Sequence, residues 1–285
     1  VFGSGGTIKN PMDDAVLERK EFNENKLLKS LHDKAFKQIG TSGSGNHFVE
    51  FGIIEIKQST EKLNIPPGNY LGLLSHSGSR GLGAAVANYY TRLARELCKL
   101  PDVAQHLAYL DLNSAEGQEY WAAMNLSGDY ASACHHQIHK KIARSVGAQV
   151  LGMVENHHNF AWKEMYNGQE VIVHRKGATP AAKGVLGIIP GSMTAPGYIV
   201  EGNGIANSIQ SASHGAGRKM SRTAAKNNFN QKMLDEKLNE AGVHLIGGDI
   251  DESPMAYKDI NEVMQYQNEL VNIIGMFKPK VVRMA

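Results

Sequence analysis

The sequence predicts an α+β domain of mixed sheets flanked by helices, and three observations predict it. Long stretches with apolar residues at helical spacing are interleaved with short β-branched runs. Glycine punctuates most of the junctions, and no strand–helix–strand rhythm repeats along the chain. With 285 residues, 42% of them hydrophobic and 20% charged, the chain can bury a substantial core. It is read as one compact domain over residues 1–285.

The elements follow in order. NENKLLKSLHDKAFKQ, residues 23–38, repeats apolar positions at helical spacing and stops near Gly40, which predicts a helix. GTSGSGNHFVEFGIIEI, residues 40–56, is a glycine-rich loop running into an alternating strand. Residues 70–100 read as a buried strand, a Gly/Ser turn and a helix from about Gly83 to Leu100, and residues 115–147 as another helix. EVIVHRKGATPA and GVLGIIPGSM are short strands with turns between them. DINEVMQYQNELVNIIGMF, residues 259–277, predicts a closing helix with Asp259 as its N-cap.

No apolar run approaches the roughly 20 residues needed to span a bilayer, and no secretory signal is visible. Only two cysteines occur, Cys98 and Cys134, which excludes a disulfide framework and fits a reducing cytoplasm. The net charge of +2 does not announce a polyanionic partner. Its distribution says more: residues 214–232 hold Arg218, Lys219, Arg222, Lys226 and Lys232 and no acidic residue. That is a local positive field, read either as a phosphate site or as a solvated basic face.

Polar residues gather where the glycines do. SGSGNHF, SHSGSRG, ENHHNF, PGSMTAPG and SHGAGR are all loop-like, and four of these five carry histidine. His47, His76 and His158 stand in separate loops, and together they suggest a shared metal centre that Glu50 or aspartates could complete. His135 and His139 in CHHQIH have the i, i+4 spacing of helical zinc motifs. No glutamate lies between them, and the stretch belongs to an amphipathic helix whose polar side faces out, so a structural role is expected. There is no phosphate-binding G-x-x-x-x-G-K-[ST] loop, no strand–GxGxxG–helix fingerprint and no G-x-S-x-G elbow. His214, ahead of a Gly-Ala-Gly turn in SASHGAGRKMSR, stays open between ligand, base, nucleophile and spacer.

Taken together, GTSGSGNHFVE, SHSGSRGLG, ENHHNF, RKGA, GIIPGSM, SHGAGRKMSR and PMAYKDI closely resemble the RtcB family of RNA ligases, in the family's order from about residue 38 to 260. The resemblance implies an RtcB-like fold and the joining of RNA ends bearing a 2′,3′-cyclic phosphate or 3′-phosphate to 5′-hydroxyl ends, using GTP and Mn²⁺, in tRNA splicing or RNA repair. It implies that His214 is the nucleophile that takes GMP, and that His47, His76 and His158 bind metal. Asn46 and Asn159 match phosphate-binding amides. Pro190, Gly191, Ser192 and Met193 match the nucleotide loop, Glu50 a reader of the guanine edge, and Tyr257 the aromatic lying on the base. Gly215, Ala216, Gly217 and Arg218 match the residues that line the phosphates in the family. Gly197 stands where relatives often have serine. The family's Asp-x-Gly-Cys-Gly motif, whose usual place precedes the position of Val1, is absent from these residues, so one metal is expected to bind adequately and a second poorly. The family's C-terminal lysine has no clear match, Arg283 being the nearest basic residue. Two rival functions are a metal-dependent phosphoesterase that opens cyclic phosphates without GTP, and an RNA-binding remnant.

Overall fold

The computed structural model describes residues 1–3 and 5–285. Its contacts fall into two compact units: Val1–His47 with Ser75–Ala148 and Ala285, and Phe48–Leu74 with Gln149–Met284.

The first unit is helical: α1 (Glu21–Glu24), α2 (Lys26–Gln38), α3 (Arg80–Leu97) and α4 (Ala115–Ser145). The Asn25 side chain caps α2 by accepting from the Leu28 N–H, and Ser114 caps α4 by accepting from the Gly117 N–H. Both helices fall within two to three residues of the ranges that periodicity predicts. Phe22, Leu28, Ile39, Leu82, Val86, Tyr90, Leu126 and Tyr130 form one buried cluster. Each such side chain stabilises the fold by roughly 1.5–3 kcal/mol relative to exposure. The Tyr130 hydroxyl, taken out of water with its ring, donates to the Ala35 carbonyl at 2.7 Å.

The second unit holds the sheets. Its strands are β1 (Phe48–Ile56), β2 (Gly68–His76, with Ser75 and His76 in the first unit), β3 (Asn159–Tyr166), β4 (Gln169–Lys176), β5 (Ala178–Pro180), β6 (Leu186–Ile189), β7 (Gly197–Gly202), β8 (Ser211–Ser213), β9 (His244–Ile246) and β10 (Val271–Met284). The helices α5 (Arg222–Asn228), α6 (Gln231–Ala241) and α7 (Ile260–Gln265) accompany them. The main sheet runs β2-β1-β10-β7-β6, with β9 parallel to the end of β10. β3 and β4 make an antiparallel hairpin, and β5 pairs antiparallel with β8.

The predicted closing helix is corrected. Asp259 does cap a helix, accepting from the Asn261 N–H at 2.8 Å, but that helix ends at Gln265. The last seven residues of the predicted stretch, VNIIGMF, instead open β10, the strand between β1 and β7, which runs on to Met284. Its β-branched residues favour extended backbone, and Pro279 cannot sit in a helix interior. Pro279 lies opposite Gly52, where the β1–β10 register shifts, which is where a sheet tolerates proline. Among the described residues no helix is long and apolar enough to cross a membrane.

Candidate functional site

In the first unit the loop after α2 and the end of β2 bring two imidazoles together. The His47 and His76 rings meet edge to face with centroids 5.2 Å apart. Each donates its Nδ1–H to a backbone carbonyl, His47 to Ser42 at 2.6 Å and His76 to Asn46 at 3.1 Å. A carbonyl can only accept, so Nε2 carries the lone pair in both rings. Burial, followed by the neighbouring His76, lowers the His47 pKa to about 4, so this ring is neutral at physiological pH. A neutral ring braced through Nδ1–H suits a histidine that ligates a metal through Nε2. Gly43 explains the glycines of this loop: its φ of +124° suits glycine, and a Cβ there would strike His47 Nδ1 and Arg80.

Among the described residues, no group of three or more His, Cys, Asp and Glu side chains gathers closely enough to hold a metal ion. The three histidines expected to share a metal do not form such a group: His47 meets His76 in the first unit, and His158 meets His214 in the second. His47 and His76 fit a divalent cation chemically but form only part of a donor set. Cys134 adds nothing, since burial pushes its thiol up to about 11.

In the second unit β8 delivers His214. Its ring stacks on His158, with centroids 5.1 Å apart and planes 17° from parallel. His214 Nδ1 donates to the Gly177 carbonyl at 2.8 Å, and the same carbonyl accepts the His214 backbone N–H at 3.4 Å. Nε2 therefore carries the lone pair. The Gly177 N–H in turn donates to the His158 carbonyl at 3.0 Å and to Asn159 Oδ1 at 3.3 Å.

Three loops converge beside it. The Ala216 N–H donates to the Pro190 carbonyl at 3.0 Å, and a Cβ on Gly215 would lie 3.0 Å from that carbonyl, which ties SHGAGR to PGSM. The Lys258 N–H donates to the Gly217 carbonyl at 3.0 Å, and the Lys219 N–H to the Ala256 carbonyl at 2.9 Å, which ties SHGAGR to PMAYK. The Arg218 guanidinium lies over the Tyr257 ring, 5.2 Å from its centroid, and the Tyr257 hydroxyl donates to Glu252. Burial, then the Glu252 carboxylate, holds the Tyr257 phenol well above its ordinary range. Gly197 opens β7 beside Pro190. Met193 packs in a cluster with Phe48, Val282 and Met284, and Glu50 shares that sheet face, since Phe48 pairs with Met284 and Glu50 with Val282. Glu50 is 6% exposed, and burial raises its pKa from about 4.5 to about 8, so it is largely protonated at pH 7.

A family model described as tRNA-splicing ligase RtcB matches residues 7–284. The chain belongs to the RtcB family. It is 36% identical over 265 residues to the RNA-splicing ligase RtcB of Escherichia coli (strain K12), a match covering 87% of this chain and 62% of that protein. It is 32% identical to the tRNA-splicing ligase RtcB of Nanoarchaeum equitans, covering 86% and 59% respectively, and 33% identical to RNA-splicing ligase RtcB homolog 1 of Entamoeba dispar, covering 90% and 55%. The chain thus spans roughly three fifths of the length of these RtcB relatives.

The basic stretch of this RtcB chain is largely paired within the fold. Arg222 bridges Asp251 at 2.5 Å and also Glu252, Arg218 Nη2 donates to the Asp251 carbonyl at 2.7 Å, and Lys226 meets Asp249 at 2.5 Å. Arg283 donates to the Ile246 carbonyl at 2.9 Å. Sequence reasoning missed three supports of His214. One is the Gly177 carbonyl. Another is Gln267, whose buried side chain accepts the Ser213 N–H at 2.5 Å. The third is Arg175, buried in the hairpin, which pairs with both oxygens of Glu164 and donates to Ser211 Oγ at 2.8 Å and to the Ile209 carbonyl at 3.1 Å. The only signals were a glycine after RK and an amide in a helical run, and neither points at a partner.

Proposed function

We propose that this chain is the GTP-reactive part of an RNA ligase that joins 2′,3′-cyclic phosphate or 3′-phosphate ends to 5′-hydroxyl ends. The observation that carries this reading is the Gly177 carbonyl on His214 Nδ1, which leaves Nε2 as the nucleophilic nitrogen. The Nε2 lone pair attacks the α-phosphorus of GTP; the bond to the β-phosphate oxygen breaks, pyrophosphate leaves, and GMP stays on nitrogen. A cyclic end is first opened by water to the 3′-phosphate. An oxygen of the RNA 3′-phosphate then attacks the GMP phosphorus and breaks the P–N bond. The 5′-hydroxyl oxygen finally attacks the 3′-phosphate, GMP leaves, and the hydroxyl proton passes to solvent.

His47 and His76 would hold Mn²⁺ through Nε2, and His158 is assigned a metal-binding role by its motif alone. When bound, the metal would supply positive charge to phosphate oxygens and speed attack at phosphorus. The chain's own residues do the orienting. In the second unit, Asn159, Gly215, Ala216, Gly217 and Arg218 would line the phosphates, Pro190, Gly191, Ser192, Met193 and Gly197 would form the nucleotide loop, and Tyr257 would offer a ring face to the base; Asn46 is assigned to phosphate by its motif alone. A protonated Glu50 donates one hydrogen bond and accepts another, suiting it to a purine edge. Broken RNA, including tRNA halves, is the proposed substrate, and the cytoplasm the proposed compartment.

The test is intact-mass measurement after incubation with GTP and Mn²⁺, beside a His214→Ala control. An acid-labile gain of one GMP on the native chain alone supports the reading. Opening of a 2′,3′-cyclic phosphate by the His214→Ala chain without GTP, with no adduct on the native chain, replaces it with a phosphoesterase.

A further inference from the structure

Helix α4 turns two imidazoles toward the end of β2. His135 and His139, about one helical turn apart, close on a single hydroxyl: Ser75 Oγ lies 2.7 Å from His135 Nδ1 and 2.8 Å from His139 Nε2. The other nitrogen of His135, Nε2, lies 3.4 Å from the Ser77 carbonyl. A carbonyl only accepts, so His135 carries its proton on Nε2, and its Nδ1 lone pair accepts the Ser75 O–H. Having given its one proton, Ser75 Oγ accepts from His139, which therefore also carries its proton on Nε2. The chain of bonds runs in one direction, from His139 through Ser75 to His135 and on to Ser77.

The residue enclosed between Ser75 and Ser77 is His76. The support continues beyond it, because Ser77 Oγ donates to the Ser42 carbonyl at 2.6 Å, the same carbonyl that accepts the His47 Nδ1–H. The α4 histidines thus brace the loop and the strand end that carry both members of the His47–His76 pair. The two sets are opposite tautomers, Nε2–H on the helix and Nδ1–H in the pair. The CHHQIH stretch is also not polar outward as its periodicity suggests, since Gln137 is buried and only His136 of the three histidines is exposed.

We infer that His135 and His139 are positioning residues, whose shared grip on Ser75 fixes the backbone at His76 and so the aim of its Nε2 toward a divalent cation. This rests on the metal-holding role of His47 and His76 proposed above. The experiment uses the full chain labelled with ¹⁵N and free of metal, in which long-range ¹H–¹⁵N spectra distinguish the two histidine tautomers. Mn²⁺ affinity is then measured by electron paramagnetic resonance. The variants are His135→Ala, His139→Ala and the conservative His135→Asn and His139→Gln, whose amides place polar atoms near the lost Nδ1 and Nε2.

The native chain is expected to show Nε2–H for His135 and His139 and Nδ1–H for His47 and His76. Each alanine variant is expected to lose the single ordered His76 signal and to bind Mn²⁺ about 10–100-fold more weakly. Asn and Gln are expected to restore most of both. Alanine variants that keep the native His76 signal and native Mn²⁺ affinity overturn the inference. If they do not fold, Ser75→Ala replaces them, removing the shared hydroxyl at little cost in volume, and an unchanged His76 signal there overturns it equally. Should His76→Ala leave Mn²⁺ affinity untouched, the metal reading fails, while the His76 ring signal still decides whether α4 braces it.

Discussion

The Gly177 carbonyl holds His214 twice, accepting the ring Nδ1–H at 2.8 Å and the backbone N–H at 3.4 Å. One peptide group thereby sets both the tautomer and the orientation of the imidazole. Gly177 reaches this position with φ +71°, a conformation costing a residue with a Cβ roughly 1 kcal/mol or more. We expect Gly177→Ala to lower the unfolding midpoint modestly and to slow GMP attachment at least about tenfold, which is 1.4 kcal/mol of barrier. GTP affinity should change little. Time-resolved intact mass beside calorimetric GTP titration checks this, and an unchanged attachment rate would remove the carbonyl from its orienting role.

A second glycine does similar work in the first unit. Gly43 combines a φ of +124° with direct approach to His47 Nδ1 and Arg80. Alanine there meets both backbone strain and overlap with a ring that is itself hydrogen-bonded to Ser42. Gly43→Ala should cost about 1–3 kcal/mol of stability and displace His47 from the Ser42 carbonyl. Gly45, also at positive φ but with open space around its added Cβ, is the control, and its alanine variant should keep the His47 signal. Urea unfolding and histidine tautomer spectra on both variants separate strain from overlap.

How much of this was legible in the sequence depends on the range of the interaction. The helices at 26–38 and 115–145 were readable because side-chain period and caps are local, as was Asp259 at its N-cap. β10 was missed because the apolar run VNIIGMF fits helix and buried strand alike, and only pairing with β1 and β7 decides between them. The candidate histidines could be named because their loops carry a family's motifs. The partners that give each ring its tautomer could not, since backbone carbonyls such as Ser42, Asn46 and Gly177 have no residue type to read. The basic run at 218–226 looked like an open positive field because its counter-charges at Asp249, Asp251 and Glu252 lie more than twenty residues away.

Those counter-charges make the next prediction. Glu252, whose side chain is 4% exposed, serves Arg218, Arg222 and the Tyr257 hydroxyl together. Glu252→Ala leaves these donors without their shared acceptor, at a cost of roughly 1–3 kcal/mol of stability. It should also free the Tyr257 ring and weaken GTP binding, while Lys226→Ala, at an exposed pair with Asp249, should change stability by under about 1 kcal/mol. Denaturant unfolding with GTP titration reads both. Native GTP affinity in a folded Glu252→Ala chain would separate Tyr257 from the base.

Glu50 gives the protein a pH dependence of definite sign. Burial lifts its folded-state pKa to about 8 from an ordinary value near 4.5, so between these limits the native state holds a proton that the unfolded chain has released. The contribution of this group is complete below about pH 4.5 and is lost as pH rises toward 8, with a limiting slope of about 1.4 kcal/mol per pH unit. Glu50→Gln keeps the size and neutrality of the protonated acid and cannot titrate. Its stability should match the parent near pH 5 and exceed it progressively up to about pH 8, above which the difference levels off. Urea midpoints for the two chains at half-unit steps from pH 5 to 8.5 check this. Parallel curves would mean that the carboxyl ionises freely in the fold, and a guanine contact by a protonated Glu50 would fall with it.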